Sequence, residues 1–444
     1  MTKDQIKSEI FKLIEQYTDL EAKEKKQFQP GSRIPYAGRL YDAAERKNLV
    51  DSALDFWLTA GRYAEQFEKK LADYLKVKHA FAVNSGSSAN LLAFMTLTSP
   101  LLKEKAIKRG DEVITVAAAF PTTIAPVIQY GAVPVFVDIT IPEYNIAVSE
   151  LENALSPKTK AVFIAHTLGN PFNLKEVWSF CEKHNLWLIE DNCDALGSEY
   201  DIGDGFRKTG TIGHIGTSSF YPAHHITLGE GGAVYTNSDL LAKIIMSMRD
   251  WGRDCSCPPG VDNTCRSRFN KQFGSLPKGY DHKYVYSHLG YNLKITEMQA
   301  AVGCAQIDKL DDFVNKRRSN WDILREGLMS LERYIILPEP QPDSIPSWFG
   351  FLMTVRENSP ISRDELAIKL EEAGIQTRNL FSGNILYHPC FDEYTKGVDY
   401  KVSGELVNTD KVLNNTLWIG VYPGLSNEQI EYTIATIKKC VNQE

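Results

Sequence analysis

The sequence lacks the features of a membrane protein and of a nucleic-acid-binding protein. No apolar run approaches the ~20 residues that a membrane-spanning helix needs, so no such helix is predicted. The 444 residues carry 49 Lys and Arg against 56 Asp and Glu, and the net charge of −7 offers no general basic face to nucleic acid or to an anionic membrane. The first residues also lack the pattern of a secretory signal, and we expect a cytoplasmic protein.

A lysine is missing from residues 219–232, where the surrounding pattern leads one to expect it. A serine, two aromatic residues and a Gly-rich turn are typical of the cofactor-anchoring segment of pyridoxal-phosphate enzymes, in which a lysine five residues after the hydroxyl holds the cofactor as a Schiff base. His224 occupies that position, and the nearest lysines are Lys208 and Lys243. Histidine cannot form an imine, but its pKa near neutrality suits it to transfer a proton. We therefore interpret His224 as a base and not as an anchor.

Three further segments provide groups that suit such a cofactor. Ser87 and Ser88 lie in a small-residue turn before a helical pattern, where a phosphate would be stabilised, although an ordinary turn explains them equally well. Asp191 ends a strand-like run and could pair with a protonated pyridine nitrogen, or serve only as a helix N-cap. Phe120 could lie flat on the cofactor ring, or belong to the core.

In this order and at these separations, the segments resemble the sugar-nucleotide aminotransferase family, the DegT/DnrJ/EryC1 group. The resemblance extends from about residue 60 to the C-terminus and includes residues 289–301, which are typical of the family. The histidine in place of lysine narrows it to the sugar 3-dehydrases of that family. Two kinds are similar to this chain: the iron–sulfur enzymes that make 3,6-dideoxyhexoses, and the metal-free, glutamate-using dehydrases of colitose synthesis.

The cysteines favour the iron–sulfur kind. Cys255, Cys257 and Cys265 form a C-x-C-x7-C pattern in a polar, Gly/Pro-rich stretch, and Cys193 follows two residues after Asp191. This arrangement matches the iron–sulfur 3-dehydrases, and four thiolates are what a 2Fe–2S cluster needs. Disulfides are not expected in a chain without a secretory signal, whereas tetrahedral zinc remains chemically possible.

The family resemblance implies an α/β fold like that of aspartate aminotransferase, the type I pyridoxal-phosphate fold, and the order of segments agrees with it. Strand-like runs alternate with helical stretches, which predicts a mainly parallel, doubly wound sheet. The predicted strands are 80–84, 112–116, 133–138, 160–166, 187–191 and 233–236. We predict a helical extension (1–55), a large domain that binds pyridoxamine phosphate and carries the Cys-rich loop (56–318), and a smaller α+β C-terminal domain (319–444).

The resemblance also implies an activity. Pyridoxamine phosphate, held without a covalent bond, would react at the C4 ketone of a nucleotide-linked 4-keto-6-deoxyhexose. His224 would act as the base, and the C3 hydroxyl would leave. We expect a CDP-linked sugar, and a place in the synthesis of the 3,6-dideoxyhexoses of lipopolysaccharide O-antigens. A separate NAD(P)H-dependent flavin and iron–sulfur reductase would supply electrons to the cluster.

Further roles follow from the same resemblance. The residues expected to hold the cofactor phosphate are Ser87, Ser88, Ser219 and, from the neighbouring subunit of a homodimer, Asn292. Asp191 would keep the ring nitrogen protonated and Phe120 would stack on the ring. Asp194 stands where the family has a glutamine near the ring hydroxyl.

Several alternatives stay open from the sequence. The chain could be a pyridoxal-fold protein that binds a ligand without catalysis, or a zinc-stabilised enzyme without redox function. His225 is the less suitable base, because neighbouring side chains of extended backbone point to opposite faces and His224 has the register of the lysine. His166, near a strand end, could line the sugar site.

Overall fold

An eight-stranded sheet forms the centre of the larger part of the molecule. The computed structural model describes residues 1–24, 27–257, 260–261, 263–264, 266 and 268–442. The strands among these residues are β1 (His79–Val83), β2 (Glu112–Val116), β3 (Val133–Val137), β4 (Thr159–Ala165), β5 (Trp187–Asp191), β6 (Glu199–Asp201), β7 (Phe206–Lys208), β8 (Ile215–Ser219), β9 (Gly232–Thr236), β10 (Ile335–Ile336), β11 (Ser344–Ile345), β12 (Gly350–Val355), β13 (Thr377–Arg378), β14 (Lys401–Val402) and β15 (Thr416–Gly420).

Helices pack against the sheets, and the first and last elements of the chain are also helices. Those among the described residues are α1 (Lys3–Lys23), α2 (Ala43–Asp55), α3 (Arg62–Leu75), α4 (Gly86–Thr96), α5 (Pro121–Tyr130), α6 (Leu151–Ala154), α7 (Leu174–Lys183), α8 (Asp239–Arg249), α9 (Glu297–Gln306), α10 (Leu310–Leu328), α11 (Arg363–Glu372), α12 (Val407–Asn415) and α13 (Asn427–Asn442). In the part of the chain that the structure describes, none of them is both long and apolar enough to cross a membrane.

The large sheet has the order β1-β9-β8-β5-β4-β2-β3-β14. Every pair from β8 to β14 is parallel, and β9 alone runs antiparallel to both of its neighbours. Strands β2, β8 and β9 are buried along their whole length, as expected for a sheet with both faces covered by helices. The carboxyl ends of the parallel strands meet at one edge, where sheets of this kind bind ligands.

The sequence-based fold prediction is confirmed, with two strands of the large sheet, β8 and β14, missed. Each of the six predicted strands occurs, with ends shifted by at most one residue. Strand β8, with the sequence Ile-Gly-Thr-Ser-Ser, was not predicted, because small and hydroxyl residues carry little local preference for a strand. Its position between β5 and β9 is decided by pairing on both sides.

A second, antiparallel sheet, β10-β12-β15-β13, forms the smaller C-terminal part. Helix α10 joins the two parts: Leu310 and Val314 pack in a core of the large part, and Trp321 and Leu324 pack in the core of the small one. The predicted boundary at residues 318/319 falls within this helix, and the division into domains stays a prediction. The C-terminal segment also returns to the large sheet, since β14 pairs with β3.

Buried and half-buried histidines make the folded protein sensitive to acid. Burial, with a smaller contribution from Lys105, lowers the pKa of His214 from 6.5 to about 4. Burial also lowers the pKa values of His225 and His288. Between pH 6.5 and about 4 the unfolded chain binds a proton at His214 that the folded chain does not bind, so the free energy of unfolding falls as the pH falls through this window.

We expect His214→Gln to flatten this pH dependence. For His214 alone, lowering the pH from ~7.5 to ~5.5 should cost about 1.4 kcal/mol of the free energy of unfolding. Urea denaturation at several pH values, at one fixed protein concentration, measures the slope for the wild type and the variant. An unchanged slope in the variant would show that His214 does not titrate as its burial implies.

Candidate active site

A cavity of about 520 Å³ opens at the carboxyl edge of the large sheet. It brings together most of the residues that the sequence singled out, from segments far apart along the chain. The predicted residues that line it are Ser87, Phe120, Asp191, Cys193, Asp194, Ser219 and His224. Neither Ser88 nor Asn292 is among the lining residues of this chain.

The turn before α4 has the shape of a phosphate cradle. Ser85 caps the helix, because its Oγ accepts a hydrogen bond of 3.0 Å from the N–H of Ser88. Gly86 lies so close to Ser219 that an added Cβ would stand 2.4 Å from the Ser219 Cβ. The close approach places Ser87 and Ser219 together at a helix N-terminus, where free N–H groups and the helix dipole stabilise an anion.

The side chain of Asp191 is held in place by donors that lie on other segments of the chain. Its Oδ2 accepts hydrogen bonds of 2.7 Å from both Asn90 Nδ2 and Thr123 Oγ1, and its Oδ1 accepts one of 3.1 Å from the Cys193 N–H. Thr217 Oγ1 donates to Asn90 Oδ1 at 2.7 Å and so fixes the amide. Oδ1 retains a lone pair for a further donor in the cavity. No local pattern pointed to Asn90 or Thr123, because they meet Asp191 only in the folded chain.

His224 stands beside a carboxylate and an aromatic ring. Its Nδ1 lies 3.3 Å from Asp194 Oδ1, without the alignment of a regular hydrogen bond, and its ring centroid lies 5.2 Å from that of Phe349. Burial raises the pKa of Asp194, and His224 opposes that shift. A carboxylate on the Nδ1 side favours the tautomer with its proton on Nδ1, which leaves Nε2 able to accept a proton.

Two other histidines lie outside the cavity. His225 is buried, its Nε2 donates to the Ser347 carbonyl at 3.3 Å, and burial lowers its pKa well below the ordinary value. His166 has no exposed surface: its Nε2 lies 3.0 Å from the Glu190 carboxylate, and its ring stacks on Phe172 at 4.3 Å. It therefore belongs to the core, and the suggestion that it lines the sugar site is not supported.

The four cysteines of the predicted cluster are only partly described. Cys193 lines the cavity, and burial, reinforced by two nearby carboxylates, raises the pKa of its thiol. Cys255 and Cys257 are half-buried, and the Cys257 Sγ accepts a hydrogen bond of 3.1 Å from Thr264 Oγ1. Cys265 lies outside the described residues. Among those described, no group of three or more His, Cys, Asp or Glu side chains could hold a metal ion. The metal-binding role of these cysteines stays a prediction.

Asn292 is exposed on the surface of this chain and is not one of the residues that line the cavity. Its backbone pairs with Asp250, and its Oδ1 accepts a hydrogen bond of 2.7 Å from Lys294 Nζ. Neither of these partners is a predicted cofactor residue, and the predicted role of Asn292 depends on a second protomer.

The small sheet and the N-terminal segment form a wall of the cavity that sequence reasoning missed. Its residues are Tyr36, Phe349, Arg378, Phe381 and Trp418. His388 and Cys390, which had no assignable role from the sequence, also line the cavity. These residues carry no shared motif, and nothing short of the packing of the two sheets would have indicated their proximity.

Comparison with known proteins identifies the family. Residues 41–438 match the sequence model of the DegT/DnrJ/EryC1/StrS aminotransferase family. The chain belongs to this family. It is 54% identical to the lipopolysaccharide biosynthesis protein RfbH of Salmonella typhimurium, over 99% of each chain. It is 49% identical to dTDP-4-dehydro-2,6-dideoxy-D-glucose 3-dehydratase of Saccharopolyspora spinosa, over 91% of this chain and 86% of that protein.

A solved structure gives the same result for the fold. This chain is similar to an E. coli GDP-4-keto-6-deoxy-D-mannose-3-dehydratase with bound hydrated PLP, with a TM-score of 0.81 and 29% identity. The match covers 91% of this chain and 99% of the other. The type I pyridoxal-phosphate fold is thereby confirmed. In this aminotransferase-family chain, the cavity has no lysine among its described lining residues.

Proposed function

We propose that the protein is a sugar-nucleotide 3-dehydrase, which removes the C3 hydroxyl of a nucleotide-linked 4-keto-6-deoxyhexose. The observation that carries the proposal is His224, which lines the cavity beside Asp194 where no lysine is found among the described lining residues. An aminotransferase-family cavity that keeps a proton-transferring group but no amine suits elimination better than amino transfer. The names of its relatives, a lipopolysaccharide biosynthesis protein and a sugar 3-dehydratase, support the proposal and a role in making O-antigen dideoxyhexoses.

The cavity fits pyridoxamine or pyridoxal phosphate. Gly86, Ser87 and Ser219 would hold the phosphate, Asp191 would accept a hydrogen bond from the ring nitrogen, and Phe120, 52% exposed, would cover the ring. When bound, this cofactor supplies an amino group that combines with a ketone and a conjugated ring that accepts electrons. Ser88 and Asp194 remain in the proposed set, as residues next to the phosphate and the ring hydroxyl.

The side chains of this protein would divide the proton chemistry among them. His224 takes the proton whose loss allows the C3 hydroxyl to leave, and Asp194 stabilises the imidazolium that results. Asp191 keeps the ring nitrogen protonated, because its carboxylate is already fixed by three donors and favours a positive charge beside it. Without a covalent anchor, retention of the cofactor depends on the phosphate cradle and on the stacked ring.

We further propose that Cys193, Cys255, Cys257 and Cys265 hold a 2Fe–2S cluster and that an NAD(P)H-dependent flavin and iron–sulfur reductase is the partner. The support is the cysteine pattern and the presence of Cys193 in the cavity wall, since the described residues alone do not form a metal site. The overall reaction balances as 4-keto-6-deoxyhexose plus NAD(P)H and a proton, giving the 3-deoxy sugar, NAD(P)⁺ and water.

A metal-free, glutamate-dependent 3-dehydrase is the second candidate. It is favoured by the similarity in fold to the E. coli 3-dehydratase with bound PLP. The nucleotide is also part of the proposal: we propose CDP, from the resemblance to the iron–sulfur 3-dehydrases, whereas the relatives carry dTDP and GDP in their names.

Anaerobic purification followed by a single assay tests these proposals. The protein is incubated with CDP-4-keto-6-deoxyglucose and either NADH with a flavin and iron–sulfur reductase, or glutamate alone, and the sugar is analysed by mass spectrometry and NMR. We expect iron in the protein and a product that has lost the C3 oxygen in the first mixture only. Turnover with glutamate and no iron would establish the second candidate. No turnover in either mixture with the CDP-, dTDP- and GDP-linked sugars would exclude both candidates.

A homodimer is the assembly we propose, with Asn292 of each chain directed to the phosphate site of the other. Two-fold dimers are the commonest closed assembly. Asn292→Ala should weaken cofactor binding by about tenfold, the effect of one hydrogen bond to a charged group, without lowering the thermal midpoint of the apoprotein. Equilibrium dialysis measures the affinity. A fully active monomer at low concentration would exclude a site shared between subunits.

A further inference from the structure

One cation in the cavity has no part in the chemistry proposed so far. Arg378, on β13, is the single Lys or Arg among the described residues that line the cavity. The carboxylates of the same lining, Asp191 and Asp194, lie beside Asn90, Thr123 and His224, and Arg378 forms no ion pair with them. A guanidinium that faces a cavity without a carboxylate partner is ready to bind an anion.

The guanidinium is held in place by aromatic residues and by its own strand. Its Cζ lies 4.1 Å from the ring centroid of Tyr36, and its Nη1 donates a hydrogen bond of 2.7 Å to the Thr377 carbonyl. Trp418 stands opposite Arg378 in the pairing of β13 with β15, and its ring lies 5.3 Å from that of Tyr36. Trp418 Nε1 in turn donates to the Asn379 carbonyl at 2.9 Å. The arginine therefore belongs to a fixed aromatic wall, and its remaining N–H groups can serve a ligand.

We propose that Arg378 binds the diphosphate of a nucleoside-diphosphate sugar, with Tyr36 and Trp418 as the adjoining wall for the rest of the nucleotide. This inference rests on the proposed function, and it identifies a binding site for the nucleotide part of the proposed substrate. The cofactor phosphate has its own cradle at Gly86 and Ser219 on the large sheet, so Arg378 on the small sheet is left for a second anionic group. A planar guanidinium pairs with two phosphate oxygens at once, and aromatic rings suit a nucleotide better than a small amino acid.

Binding of CDP to the full-length protein, already loaded with cofactor, tests the inference by isothermal titration calorimetry. We expect Arg378→Met to weaken CDP binding by about 10- to 100-fold, the effect of losing a charge-assisted hydrogen bond. Arg378→Lys should recover part of the affinity, because it restores the charge but not the bidentate geometry. The matched control is Arg333→Met, which removes an exposed arginine that lies 4.3 Å over the ring of Tyr334 in the small part, away from the cavity. It should bind CDP like the wild type.

The outcomes separate this inference from the proposed function. If the wild type binds CDP and Arg378→Met binds it equally well, the assignment of Arg378 is wrong and the proposed function stands. If the wild type binds none of CDP, dTDP and GDP, the proposed function itself fails. If Arg378→Met loses affinity for glutamate but not for CDP, the arginine serves an amino-acid carboxylate, and the inference is overturned.

Discussion

Replacing His224 with asparagine should lower the rate of proton transfer at the cofactor C4′ carbon by about 10²- to 10⁴-fold, the usual contribution of a general base. Asparagine keeps much of the size and polarity of the side chain but cannot accept the proton. The measurement is the exchange of the C4′ hydrogen of pyridoxamine phosphate with deuterated solvent, followed by NMR in the presence of the keto sugar. Cofactor affinity should change little, because the phosphate cradle and Asp191 are untouched.

His225→Asn is the matched control for this experiment. His225 is the neighbouring histidine, but it is buried against the Ser347 carbonyl and lies outside the cavity. Its replacement should leave the exchange rate within a few-fold of the wild type. A loss of exchange in the His225 variant, with the His224 variant unimpaired, would show that His225 and not His224 is the base.

Restoring the lysine provides a complementary readout. In His224→Lys, borohydride reduction should fix the cofactor covalently to residue 224, and mass spectrometry of the digested protein would locate it. In the wild type, the cofactor should leave on dialysis, and no lysine should carry it after reduction. A wild-type peptide with cofactor trapped on a lysine would contradict the reading of His224 as a replacement for the anchor.

Replacing Cys193 with serine should remove the proposed 2Fe–2S cluster and abolish the net 3-deoxygenation that we propose for NAD(P)H and the reductase. Serine is similar in size, but its hydroxyl is a poor substitute for a thiolate ligand of iron. Iron content should fall from about two atoms per protomer, the stoichiometry of one 2Fe–2S cluster, and the visible absorption should disappear. Exchange of the C4′ hydrogen should survive, because it depends on His224 and not on the cysteines.

Cys390→Ser is the control for the iron content. Cys390 is an exposed cysteine of the same cavity that does not belong to the C-x-C-x7-C pattern. Iron should be retained in this variant and lost in variants of Cys255, Cys257 or Cys265. Full iron content in Cys193→Ser would show that the fourth ligand lies elsewhere, and zinc in place of iron in the native protein would exclude the redox role.

Much of the candidate site was visible in the sequence, because its chemistry depends on residue types at short, fixed separations. The histidine five residues after Ser219, the small-residue turn at Ser87 and the carboxylate ending β5 are each local patterns, and all three reach the same cavity. The alternation of strands and helices also predicted six of the eight strands of the large sheet, since buried parallel strands are short continuous apolar runs. The cysteine pattern indicated a cluster that the described residues do not test.

The tertiary structure decided which residues from distant segments lie together at the candidate site. Asn90 and Thr123 hold Asp191 from 101 and 68 residues away, and His166 proved to be a core residue paired with Glu190. The wall formed by Tyr36, Arg378 and Trp418 exists only because the small sheet packs against the edge of the large one. These contacts depend on long-range packing, whose energy is distributed over many side chains and leaves no periodic or motif-like trace in the sequence. The proposed reacting groups were therefore indicated by the sequence, whereas the groups that orient them and those that we propose bind the substrate were not.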